Sequence, residues 1–229
     1  MGETKLSVED RNVLESQGWL NDKHIHAAQQ LLKKQHPQVA GLHNTILQCT
    51  STFDVQGRNE FVQCLNLGGN HWITISTLKC PPAVVCVYDS LHYQLSPSVK
   101  KTVADLLQTK KEHIIQYMNT QVQEGGSDCG LFAIATATTL CHGEDPVDLE
   151  YDQSSMRSHL LKAFSMKTLL RFPAKTTRKR QKRRILHRQR IAVYCSCRLP
   201  DDGRQMIQCS KCNQWYHVNC TDVPKTVLI

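Results

Sequence analysis

The stretch QEGGSDCGLFAIATATTLC, residues 123–141, is polar and glycine-rich up to Asp128 and carries no charged side chain from Cys129 onward. A helix that is apolar on every side cannot lie on a surface, so 129–141 predicts a buried central helix. Such a helix needs layers around it, and the flanking sequence supplies them. FVQCLNL (61–67), HWITISTL (71–78), AVVCVYDS (83–90) and HIIQYMN (113–119) are short runs rich in β-branched and aromatic residues, and predict strands. Gly68-Gly69-Asn70 breaks the first pair as a hairpin turn does. NDKHIHAAQQLLKKQHP (21–37) predicts a helix capped by Asn21 or Asp22, with Ile25, Ala28 and Leu32 on one face and Pro37 past its end. SPSVKKTVADLLQT (96–109) predicts a helix with Val99, Val103, Leu106 and Leu107 inward. Roughly 153–170 predicts another, with Met156, Leu160, Ala163 and Phe164 on one stripe. The fold class expected is α+β.

Forty per cent apolar and 21% charged residues is an ordinary globular balance. No window approaches about 18 consecutive apolar residues, and MGETKLSVEDR lacks an apolar signal core, so a soluble, intracellular chain is expected. The net charge of +8 is concentrated: residues 171–190 hold ten Lys and Arg and no acid, whereas 1–170 hold fourteen basic and seventeen acidic residues. This divides the chain into a domain at 1–172, a basic linker at 173–191 and a small module at 192–229. Of the eleven cysteines, Cys49, Cys64, Cys80, Cys86, Cys129 and Cys141 are scattered and expected to be reduced thiols. The other five crowd into 195–220.

Thiol catalysis needs a thiolate, a base, a group that orients the base, and donors for an oxyanion. Cys129 sits where the buried helix begins, and a helix N-terminus favours the thiolate through its free amides and dipole. Gly130 beside it leaves room for a substrate backbone. His71 opens one strand and Asp89 ends the next, so neighbouring strands bring them to one edge of a sheet.

Four strings occur in order: WLND (19–22), NHWITI (70–75), VYDSL (87–91) and QEGGSDCG (123–130). Together they resemble the motifs of the ubiquitin-like-protein proteases, the SUMO-protease family, which also has adenoviral and transposon-borne relatives. The resemblance covers about 150 residues through short motifs. It implies a papain-like cysteine protease fold and peptidase activity without a catalytic cofactor. His71 becomes the general base, Asp89 its orienting acid, Cys129 the nucleophile and Gln123 the side-chain donor of the oxyanion hole; the Cys129 N–H is the second donor. By the same resemblance Trp19, Asp22 and Trp72 bind substrate, the two tryptophans roofing a tunnel that admits only Gly-Gly. The implied substrate is a ubiquitin-like modifier or a protein conjugated to one.

YCSCRLPDDGRQMIQCSKCNQWYHVNC (194–220) has the spacing C-x-C, eleven residues, C-x-x-C, four residues, H-x-x-C. Thiolates and imidazole so spaced clamp Zn²⁺, which a segment with almost no apolar core needs in order to fold. The string resembles a PHD finger. That resemblance implies a first site of Cys195, Cys197, His217 and Cys220, half of a second in Cys209 and Cys212, and a methyl-lysine cage of Tyr194, Met206 and Trp215, with Asp201 where a tyrosine is often found. The implied partner is a methylated histone tail, and the implied location the nucleus. RKRQKRR (178–184) resembles a nuclear localisation signal or a nucleic-acid contact patch; a solvated spacer accounts for it equally. No membrane contact is expected. The alternatives are a transposon- or virus-derived polyprotein protease, or a chromatin-binding module with a degenerate protease domain.

Overall fold

The computed structural model describes residues 6–45, 60–95, 97–107, 111–177 and 184–222. Cys49 and most of the basic run, 178–183, lie outside them.

The chain enters through α1 (Val8–Glu15), an element the sequence reading passed over. Its signal is Ser7-x-x-Asp10: the Ser7 hydroxyl accepts from Asp10 N, and the Asp10 carboxylate accepts from Ser7 N. Asn21 caps α2 (Asp22–Gln35) in the same reciprocal manner with His24, whose Nε2 reaches the Asp10 carbonyl at 2.8 Å and ties the two helices together.

Six strands form the main sheet in the order β1 (Ala40–Gly41), β2 (Phe61–Leu67), β3 (His71–Ser76), β4 (Val84–Tyr88), β5 (His113–Met118) and β8 (Ile185–Ile191). The pairs β2/β3, β3/β4 and β5/β8 are antiparallel; β1/β2 and β4/β5 are parallel. The expected hairpin turn is present, with Gly68 and Gly69 at φ +64° and +89°, a region open to glycine at no steric cost. Every residue of β3 and β4 is buried, which requires cover on both sheet faces.

Side chains alternate accordingly. Cys64, Trp72, Cys86 and Tyr88 point into one core with α1, α2, α4 (Cys129–Cys141) and α5 (Gln153–Met166). Phe61, Leu65, Ile73, Ile75, Val85 and Val87 form a second core with Leu95 and Val103 on the other face. All thirteen residues of α4 are buried. On α5, Met156, Leu160 and Ala163 are buried and Phe164 packs beside them; the helix stops at Met166 because Lys167 takes a left-handed φ of +54°. In α3 (Pro97–Leu107) Val103 is buried as expected, while the side chains of Val99, Leu106 and Leu107 lie outside the described residues.

The stretch expected to be a linker holds two strands. Ala174–Thr176 (β7) pairs with Leu149–Tyr151 (β6), and Ile185–Ile191 extends the main sheet as its edge. Its Arg188 and Arg190 are exposed and its Ile191 buried, a pattern open to an edge strand, where charge also discourages pairing with other chains. Positive charge hid that alternation in the sequence. From Ile191 the chain passes into the zinc-finger-like module through only Ala192 and the buried Val193. Among the described residues, no helix is long and apolar enough to cross a membrane.

Candidate active site and zinc centre

The antiparallel register Thr74↔Tyr88 brings the start of β3 and the end of β4 to one edge of the sheet. There His71 Nε2 lies 2.7 Å from Asp89 Oδ1, both side chains being buried. Asp89 cannot swing away, because its Oδ1 accepts from Leu91 N at 2.7 Å and its Oδ2 from Tyr93 N at 2.8 Å. With Nε2 engaged by Asp89, Nδ1 is the ring nitrogen left for the Cys129 thiol, which lies close enough to act on the charge of the ring. Burial opposes a charge on His71, yet Asp89 and the Cys129 sulfur together outweigh it and raise the imidazole to about 9. A cation is thus favoured beside the thiol.

Cys129 is the first residue of α4 and is buried. The helix start carries no side-chain cap: the Asp128 carboxylate turns away to Arg157 (2.5 Å) and Gln153 (2.7 Å) on α5. The first amides of α4 are therefore not consumed by that carboxylate. Asp128, Gln153 and Arg157 were missed as site residues, although Gln153 and Arg157 stand at i, i+4; only the rotation of α5 reveals that they share one carboxylate. Tyr93 was also missed. Its ring lies 5.0 Å from that of His71 and walls the site.

Gln123 is buried and oriented: its Oε1 accepts from Ser90 Oγ at 2.7 Å and its Nε2 donates to Gly125 O at 2.9 Å. Neighbouring Gln121 is committed elsewhere, to both backbone groups of Tyr151.

Trp72 and Trp19 differ in environment. Trp72 is buried and donates its indole N–H to Leu20 O at 3.0 Å, whereas Trp19 is 52% exposed. Trp72 thereby fixes the backbone that presents Trp19. Asp22 is exposed at the start of α2 and accepts from Thr45 Oγ1 at 3.3 Å. The role expected for Gly130 changes. Its space is taken by Leu20, because an added Cβ would stand 2.9 Å from Leu20 Cβ. Gly130→Ala should therefore cost about 1–3 kcal/mol by overpacking. Urea midpoints measure this; a Gly130→Ala midpoint equal to that of the native chain would mean that Leu20 moves aside at no cost.

In the C-terminal module the donor atoms of Cys195, Cys197, His217 and Cys220 all lie within 4.8 Å of one another. His217 Nε2 sits 3.2 Å from Pro200 O, which leaves Nδ1, 3.3 Å from Cys197 Sγ, facing the thiols. Three sulfurs and one imidazole nitrogen, with the tautomer fixed by an outer partner, fit a structural Zn²⁺. Cys209 and Cys212 lie apart on a tight knuckle in which Asn213 N donates to Cys209 O at 2.8 Å. Tyr194, Met206 and Trp215 line one open cavity of about 380 Å³ with Asp201, Gly203 and Arg204.

Residues 195–228 match the family model of the PHD-finger. Short matches join the chain to the Set1 complex component spp1 of Schizosaccharomyces pombe (41% identical over 34 residues) and to the COMPASS component SPP1 of Saccharomyces cerevisiae (42% over 33). They cover 15% and 14% of this chain and only 8% and 9% of those proteins. Among solved structures, the C-terminal Ulp1 protease domain in complex with Smt3, the yeast orthologue of SUMO, aligns over 72% of this chain and 85% of its own, at a TM-score of 0.56 and 16% identity. The SUMO protease Ulp1 with its catalytic cysteine oxidised to a sulfonic acid aligns over 74% and 88%, at 0.60 and 16%. At such identity the likeness speaks for the fold. The chain thus carries a PHD finger behind a mixed α/β domain with the fold of the Ulp1-type SUMO proteases.

Proposed function

We propose that this protein is a cysteine peptidase or isopeptidase that cleaves after the C-terminal Gly-Gly of a ubiquitin-like modifier, and that its finger directs it to chromatin in the nucleus. The observation that carries the reading is the buried His71–Asp89 pair, with Cys129 near enough to raise the same imidazole from the N-terminus of a buried helix.

In this reading His71 Nδ1 takes the Cys129 proton, and the imidazolium rests between thiolate and carboxylate. The thiolate attacks the terminal glycine carbonyl. The oxyanion takes the Cys129 N–H and the Gln123 amide hydrogen that Gly125 does not use, and Ser90 keeps the amide from rotating. His71 then protonates the departing lysine or α-amine, and later draws a proton from the water that hydrolyses the thioester. Trp19, held over the site through the Trp72–Leu20 bond, narrows the entry to residues without side chains, with Asp22 at its margin.

Tyr194, Met206 and Trp215 offer a methylated ammonium aromatic and apolar walls, and Asp201 adds a negative one. Much of the flanking basic charge is spent within the fold. Arg184 pairs with Asp145 and Asp148, Arg190 with Glu112 and Arg171 with Glu144, so a nucleic-acid contact through 171–190 would draw on the other basic residues of that stretch.

A panel of ubiquitin-like modifiers carrying a C-terminal electrophile tests the proposal. One or more should form a covalent adduct with the native chain; labelling by none would overturn it.

A further inference from the structure

On the side of the sheet away from the catalytic edge, Cys80 and Cys86 flank the β3–β4 connection, and their sulfurs stand 3.1 Å apart. Neither takes part in the proposed chemistry. Cys80 is half-buried in the turn, and Cys86 is buried within β4. Both line a cavity of about 450 Å³ together with Cys141, Glu60, Glu144 and Asp145. The pair therefore combines contact between two thiols with a route for a small reagent. Two sulfurs in a disulfide stand about 2.05 Å apart, so closure asks for roughly one ångström of movement. The Cys80 side chain is the partner that can turn, because its sulfur is held only by weak contacts to Ser76 O and Leu78 O.

We infer that Cys80 and Cys86 form a reversible disulfide site, oxidised by a hydroperoxide. The choice of oxidant follows from the cavity, whose space of about 450 Å³ beside the two sulfurs suits a small neutral molecule better than a bulky peptide disulfide. The Cys80 thiolate attacks the peroxide O–O bond, giving Cys80–SOH and releasing water once the leaving hydroxide gains a proton. The Cys86 sulfur then displaces the sulfenic hydroxyl, which leaves as a second water with the Cys86 proton. The two thiols lose two electrons and hydrogen peroxide gains two. The division of labour agrees with the surroundings. The contact with Cys86 holds the Cys80 thiol below its usual range, while the same contact and burial push Cys86 up, so Cys80 attacks and Cys86 resolves.

The link ties the turn after the strand that begins at His71 to the strand that leads to Asp89. It should firm the hairpin that holds both side chains.

The test uses the full zinc-loaded chain. After brief treatment with hydrogen peroxide and alkylation of the remaining thiols, tryptic peptide 80–100, which holds these two cysteines and no other, should weigh two hydrogens less than its reduced form and refuse alkylation. Reductant should restore two alkylation sites. Cys86→Ser should instead leave Cys80 as a sulfenic acid trapped by dimedone. The oxidised chain should melt about 5 °C higher than the reduced one. Peptide 80–100 alkylated twice after treatment would overturn the inference, as would a disulfide that lowers the melting temperature.

Discussion

Cys129→Ala should form no adduct with any electrophile-bearing modifier that labels the native chain, while Cys141→Ala should label normally. The two thiols occupy opposite ends of one buried helix and differ in what surrounds them. Cys129 has the helix start and His71, whereas burial pushes the Cys141 thiol up to about 12, out of reach of a thiolate at neutral pH. His71→Ala should lower single-turnover cleavage by about 10³–10⁴-fold, and Asp89→Asn by less, since the acid orients the base without accepting its proton. The pair also predicts a pH signature. The folded-state pKa of His71 is raised to about 9 from an ordinary 6.5, with burial opposing and Asp89 and Cys129 raising it. A raised pKa contributes stability that is fully present below about pH 6.5 and fades as pH rises through about 9. Asp89→Asn removes the main support of that shift, so its stability gap from wild type should be widest near about pH 6 and narrow toward about pH 10. Denaturant midpoints at the two pH values decide this; a constant gap would mean that Asp89 acts only through its backbone bonds.

Ending the chain at Phe172 should destabilise the main domain by about 3–5 kcal/mol relative to a chain ended at Val193, with a melting temperature about 10 °C lower. The longer form keeps β8, whose ladder covers His113 to Met118 and whose Ile191 is buried against Ile115 and Tyr117. It also keeps His187 stacked on Tyr117 at 3.9 Å and Gln189 accepting from the Tyr117 hydroxyl, and that hydroxyl in turn accepts from Leu95 N in the loop after Asp89. Loss of β8 should thus reach the catalytic loop as well as the core. Equal melting temperatures for the two forms would show that β8 is dispensable and that the domain does end near residue 172.

The sequence alone determined the central helix and four of the sheet strands, and it marked the residues proposed for the chemistry. The reason is local. CGLFAIATATTLC is apolar on every side, the strands carry β-branched runs, and His71, Asp89 and Cys129 each sit at an element boundary that the neighbouring residues already mark. The Cys-x-Cys and His-x-x-Cys spacing likewise declares a metal site without reference to the rest of the chain. Tertiary structure decided what depends on a partner distant in sequence. Residues 185–191 are a strand only because β5 offers them a free edge, and their arginines conceal the pattern that would have shown it. Gly130 is required by Leu20, over a hundred residues earlier, and Asp128 is held by α5. Trp72 is buried and Trp19 is not, although both look alike as tryptophans in short motifs; the indole bond to Leu20, formed between segments some fifty residues apart, assigns one to support and the other to the surface.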